Sequence, residues 1–126
     1  MKQELEDTLF TDFPLLYDKS ESMYTSCMCF GFECLDGWYD ILRTLSTQLY
    51  PLLKKEHEDE YQPKCSQVKE KYGSLRYYMN FCTDEMQDLI DAVEAASEKT
   101  CEVCGKPGNI DYKQKWLSCR CDKHRK

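Results

Sequence analysis

The chain reads as an α+β fold: two main helices packed with a β-hairpin, plus a C-terminal knuckle. Three observations predict it. Apolar residues recur every three or four positions across 38–53 and again across 86–96. Between these stretches, across 75–81, they alternate one by one. The last quarter then abandons both periods and carries closely spaced cysteines and a histidine.

The first thirty residues are weakly patterned. Leu5, Leu9 and Phe10 suit a short amphipathic turn, and Pro14 interrupts any helix beyond it. Phe13-Pro14-Leu15-Leu16-Tyr17 is apolar enough to pack onto a body, whereas the serines and acids at 18–22 read as loop. Phe30-Gly31-Phe32-Glu33-Cys34 reads as a short strand or an extended lead-in.

Asp36 is the expected N-cap of the first long helix, whose buried face is Trp38, Ile41, Leu42, Leu45, Leu49, Leu52 and Leu53. Pro51 should kink that helix or end its regular part, and Lys54 to Glu60 reads as a solvated exit. The period then changes to two. Leu75, Tyr77, Met79 and Phe81 alternate with Arg76, Tyr78 and Asn80, Val68 and Tyr72 share a face of the preceding strand, and Lys71-Tyr72-Gly73-Ser74 supplies the turn. Thr83 caps the second long helix, with Asp84 and Glu85 in its first turn, where the helix dipole favours acids. Its buried stripe is Met86, Leu89, Ile90, Val93 and Ala96. Its outer face is acidic: Asp84, Glu85, Asp88, Asp91, Glu94 and Glu98.

That second helix leads almost directly into Cys101-Glu-Val-Cys104-Gly105, and sixteen residues separate Cys104 from Cys121-Asp-Lys-His124. Two ligands two residues apart fit on one tight turn with both side chains aimed at a common centre. Gly105 supplies the permissive backbone such a knuckle needs. Two knuckles close a tetrahedral site of three thiolates and one imidazole, Cys101, Cys104, Cys121 and His124, which makes the tail a zinc knuckle. Cys119 competes for the fourth place, but Cys119-x-Cys121 is a poor chelate pair, since alternate residues of an extended chain stand several ångströms apart. A closed set of four protein ligands is structural, because catalytic zinc keeps a position for water. The spacing does not separate zinc from iron, and surface thiols without metal are the plain alternative. The other cysteines, 27, 29, 34, 65 and 82, lack this spacing and read as buried or idle thiols. Trp116 is expected to pack over the metal.

Charge divides along the same boundary. Residues 99–126 hold eight Lys/Arg and three Asp/Glu, a net of +5, so the remainder of a chain of net −6 carries −11. The chain thus divides into two units, an acidic α+β body, 1–99, and a basic metal-binding tail, 100–126, packed together. Nine cysteines, an odd number, and a start without an apolar run after basic residues suit a reducing compartment, with the cytoplasm as the expected location. No HExxH, GxSxG or glycine-rich phosphate loop occurs, and His57 stands in a charged run with no nucleophile beside it, so an enzyme is not expected. Lys71, Tyr72, Arg76, Tyr77 and Tyr78 fit either an aromatic-and-basic platform or an ordinary hairpin with one packed face.

Three stretches together carry a resemblance. Gly31-Phe-Glu-Cys-Leu-Asp-Gly-Trp-Tyr39, then Gln67-Val-Lys-Glu-Lys-Tyr-Gly-Ser-Leu-Arg-Tyr-Tyr78, then the Cys101 to His124 knuckles, resemble in that order a family of small, mostly uncharacterised phage and prophage zinc-binding proteins. The match covers roughly 30–124. The family's zinc ligands map onto Cys101, Cys104, Cys121 and His124, with Cys119 as a departure. The resemblance implies a phage context and gives no reaction. Small acidic phage proteins with a structural metal look like inhibitors of host machinery, and some resemble anti-CRISPR proteins that bind type II effector nucleases. On that expectation the acidic second helix, through Asp84, Asp88, Asp91 and Glu94, meets a basic surface of a host protein. The alternative is a nucleic-acid-binding zinc protein that uses Lys113, Lys115, Arg120, Lys123, Arg125 and Lys126. A metallohydrolase is a third option and requires an open metal position.

Overall fold

A computed structural model describes residues 1–20, 26–56 and 63–125, with the side chains of 54–56 left aside. Its order is helix α1 (Gln3–Asp12), strand β1 (Phe32–Glu33), helix α2 (Tyr39–Glu56), strands β2 (Cys65–Lys71) and β3 (Ser74–Met79), helix α3 (Asp84–Ser97), and two short strands in the tail, β4 (Asn109–Ile110) and β5 (Cys119–Arg120). The α+β class with a β-hairpin between two main helices is as expected. β1 runs parallel to β2, β2 antiparallel to β3, and β4 antiparallel to β5. Among the described residues no helix is long and apolar enough to cross a membrane.

The core follows the helical period. Trp38 in the turn before α2 and Leu42, Leu45, Leu49 and Leu53 along it are fully buried, and Met86, Ile90 and Val93 are buried along α3. The helix carries on past Pro51 to Glu56. Proline there costs a backbone hydrogen bond, and burial of Leu49 and Leu53 on either side holds the helix on the core. Phe13, Leu16 and Tyr17 pack into the body as their composition suggests. The Ser46 hydroxyl donates to the Leu42 carbonyl (2.7 Å), so it accepts from the Tyr17 hydroxyl (2.6 Å), which in turn stands 2.9 Å from the Tyr77 hydroxyl. One buried polar chain thereby links the N-terminal segment, α2 and β3.

Several local expectations are corrected. The amphipathic turn at Leu5–Phe10 is a full helix of ten residues, α1. Asp36 caps nothing: it opens a single 3-10 turn, Asp36–Trp38, and its Oδ1 accepts from the Lys2 backbone N–H at 2.7 Å. The buried stripe of α3 ends on Ser97, not Ala96, which is exposed. Phe81 and Tyr72 are exposed, because β3 ends at Met79 and Tyr72 lies in the hairpin turn itself. The loop at 18–22 is described only to Ser20, and His57 with the rest of the charged exit lies outside the described residues.

β3 is the edge of its sheet, and an edge strand leaves alternate N–H groups without a strand partner. Here α3 supplies them. Ser97 Oγ accepts from the Leu75 N–H (2.9 Å), and Glu94 Oε2 accepts from the Tyr77 N–H (3.0 Å). Thr83 Oγ1 accepts from the Met86 N–H (3.3 Å), the cap its position predicts.

Candidate metal centre

The tail is built around two turns and a two-stranded ladder. The Gly105 N–H bonds the Cys101 carbonyl (2.9 Å), with Gly105 at φ 81°, a left-handed conformation that glycine adopts without penalty. The second turn, Asp122–His124, closes with the His124 N–H on the Cys121 carbonyl (3.1 Å). The ladder pairs Asn109 with Arg120 and Ile110 with Cys119, and so brings the end of the chain back beside Cys101.

The result is a cluster. One ligand atom from each of Cys101, Cys104, Cys121 and His124 lies within 4.8 Å of all the others, the one such Cys/His group among the described residues. Cys104 Sγ to Cys121 Sγ is 3.7 Å, Cys101 Sγ to His124 Nδ1 is 3.8 Å, and Cys121 Sγ to His124 Nδ1 is 3.2 Å. A tetrahedral ion with bonds of about 2.3 Å to sulfur and about 2.0–2.1 Å to nitrogen requires S···S edges near 3.8 Å and S···N edges near 3.6 Å. These edges match within a few tenths of an ångström, so the donor set fits a metal ion. Four protein donors complete a tetrahedron and leave no position for water.

Cys119 stands outside the group. It is fully buried in the core, its carbonyl accepts from the Glu102 N–H (2.9 Å), and burial pushes its thiol up to about 11. The Cys101 thiol goes the other way. Burial raises it, but hydrogen bonds from the backbone N–H groups of Cys121, Cys104 and Val103 prevail and bring it down to about 6. A thiolate surrounded by backbone N–H donors is the state a metal requires.

The first knuckle is seated on the body. Gly37 N–H donates to the Glu102 carbonyl (2.7 Å), Trp38 Nε1 donates to the Thr100 carbonyl (2.9 Å), and the Leu35 N–H donates to Glu102 Oε2 (3.1 Å). Glu102 is buried, and burial raises its carboxyl despite the Leu35 bond. Sequence spacing finds the four ligands but not this seat, since nothing in the Asp36-Gly37-Trp38 tripeptide announces a partner 62 residues away.

Trp116 does not cover the Cys/His cluster. It is 84% exposed and lines a groove with Lys69, Lys71 and Tyr72 of the hairpin. The thiols of Cys34 and Cys65 are buried and Cys29 is exposed, and none joins a metal-ligating group. On α3, Asp84, Asp88 and Asp91 are exposed, while Glu94 is half-buried and engaged with β3.

No protein-family model, curated protein or solved structure matches the chain. Its chemistry therefore rests on its own geometry.

Proposed function

We propose that the chain is a phage-encoded, non-enzymatic inhibitor. It binds a host defence protein, with a type II CRISPR effector nuclease as the foremost example, through the acidic outer face of α3. Zinc held by Cys101, Cys104, Cys121 and His124 is its structural cofactor, and the bacterial cytoplasm is where it would meet such a target.

The observation that carries this reading is the state of the α3 face. Asp84, Glu85, Asp88 and Asp91 are exposed, α3 contains no Lys or Arg, and among the described residues no ion pair engages these four carboxylates. Solvated acidic faces are common on their own. This one belongs to a body, residues 1–98, of net −11. A basic groove that ordinarily holds nucleic acid is its electrostatic complement, and such complementarity speeds encounter and fixes orientation. The resemblance to phage and prophage proteins supports the same context.

The test is cleavage of target DNA by a purified, guide-loaded type II effector nuclease, with and without the zinc-loaded protein. Inhibition near stoichiometric ratios is expected, to be abolished by Asp84→Lys, Asp88→Lys and Asp91→Lys together. Glu94 stays native in that variant because it holds β3. Unchanged cleavage at a large excess of protein removes the reading. The alternative, a nucleic-acid-binding zinc protein working through its tail, keeps Lys113, Lys115 and Lys123 as exposed cations. Arg125 is committed internally to Asn109, Asp111 and Asp122 and Arg120 points a donor at the His124 carbonyl, while Lys126 lies outside the described residues.

A further inference from the structure

The hairpin turn and the tail meet at a feature that metal chemistry does not explain. Lys69, Glu70, Lys71 and Tyr72 from the end of β2 and its turn face Lys115, Trp116 and Leu117 from the tail across a groove of about 560 Å³. Its two large aromatics are strongly exposed, Trp116 at 84% and Tyr72 at 67%. Folding gains little from either ring, since exposed rings are not removed from water.

Tyr72 also occupies costly backbone. It has φ 56° and is the one non-glycine residue with positive φ among those described. With Gly73 at φ 83° it forms the two-residue turn of the hairpin, where Asn or Asp before Gly is the favourable choice. A tyrosine there carries strain and no compensating burial. Strain that the fold does not need is characteristic of positions kept for binding.

The charges specify the occupant. Three lysines border the groove against one carboxylate, Glu70, and that carboxylate accepts the Gly73 N–H at 2.7 Å. Lys71 Nζ lies 5.6 Å from the centroid of the Tyr72 ring, a cation–π contact that steadies the ring while most of it stays open to solvent. An anionic ligand with flat apolar faces suits both sets of groups. An acidic peptide satisfies the lysines and leaves the rings idle. A duplex presents phosphates but keeps its base faces stacked.

We propose that this groove binds single-stranded nucleic acid, with bases stacked on Tyr72 and Trp116 and phosphates held by Lys69, Lys71 and Lys115. The site is independent of the α3 reading: it uses neither Asp84, Asp88 nor Asp91. The acidic body limits the footprint, so binding is local, modest and sensitive to salt.

The experiment is fluorescence anisotropy of a labelled twelve-nucleotide oligothymidylate with the zinc-loaded protein, beside a duplex of the same length and an oligoglutamate peptide. Single-stranded DNA should bind best. Trp116→Ala and Tyr72→Asn should each weaken it about tenfold or more, the scale of one lost base–aromatic stack. Neutralising all three lysines to Gln should flatten the plot of log affinity against log salt by about 2. Tyr72→Asn separates binding from folding, because asparagine suits the turn and the variant should melt no lower than the parent. The Asp84, Asp88 and Asp91 reversal should leave this binding intact or tighten it. Equal affinity for duplex or oligoglutamate, no binding at low salt, or full affinity in both aromatic variants would each overturn the proposal.

Discussion

Gly37→Ala tests how the metal-bearing tail is held. A Cβ at Gly37 would stand 2.2 Å from the Cys101 carbonyl oxygen and 2.5 Å from both the carbon and the oxygen of the Glu102 carbonyl, where ordinary contact begins at 3.4 Å. All three atoms are backbone, so no side chain can swing aside. Relief requires the knuckle to withdraw by the difference, 1.2 Å, which stretches the 2.7 Å Gly37–Glu102 hydrogen bond to 3.9 Å and ends it. The bonds from Trp38 Nε1 to Thr100 and from the Leu35 N–H to Glu102 span the same seat and weaken with it. Two or three lost bonds at about 1 kcal/mol each, with about 1–3 kcal/mol of overpacking, make a loss of about 3–6 kcal/mol. For a chain of this length that corresponds to a melting temperature lower by about 10–20 °C. Thermal unfolding of the zinc-loaded variant tracked by circular dichroism measures it. A drop below about 4 °C would refute the reasoning, because the knuckle would then not be seated on Gly37.

Particular contacts give four further expected outcomes. Tyr17→Phe should cost about 1–3 kcal/mol in chemical denaturation, since it strips a buried hydroxyl from Ser46 and Tyr77 together. Cys121→Ser should weaken binding of zinc or cobalt by at least about 100-fold in a competition titration, whereas Cys119→Ser should keep one equivalent bound, because only Cys121 reaches the cluster. Metal binding requires the Cys101 thiolate, which the folded site holds near 6 against an ordinary 9.0, so affinity for zinc or cobalt should fall as pH drops through 6; a metal-competition titration across that range measures it. A thiol reagent at pH 8 should modify exposed Cys29 readily and reach Cys34 and Cys65 only on unfolding, since both are buried and pushed up to about 12.

Features that depend on neighbours in the chain are legible in the sequence. The faces of α2 and α3, the Thr83 cap, the hairpin turn at Tyr72-Gly73 and the knuckle turn at Gly105 are local consequences of period, capping and backbone freedom. Long-range contacts are not legible. Asp36 looks like a cap in isolation, yet the Lys2 backbone takes its carboxylate. Ala96 fits an apolar stripe better than Ser97, but the Leu75 N–H on the edge of β3 needs an acceptor, and of these two side chains the serine supplies it. Glu94 reads as part of a solvated acidic face for the same reason, and the Tyr77 N–H draws it inward. Trp116 suggests a lid because tryptophan near a metal site usually finds cover, whereas this tail is too small to fold over its own centre.

The size of the tail bears on how its metal relates to function. Between Cys101 and Arg125 the buried residues are Cys101, Glu102, Ile110 and Cys119, too little apolar surface to order twenty-five residues against their conformational entropy. The seat on Gly37 and Trp38 supplies part of its order, and an ion held by the Cys/His cluster would supply more. Both candidate surfaces then depend on the knuckle to different degrees. The acidic face of α3 is fixed by Thr83 at one end and by Ser97 and Glu94 along β3, none of which touches the metal cluster. The Tyr72–Trp116 groove takes Lys115, Trp116 and Leu117 from the stretch between the two ligand pairs, so half of it exists only while the tail is folded. An ion bound at the Cys/His cluster would therefore steady the aromatic groove far more than the acidic helix.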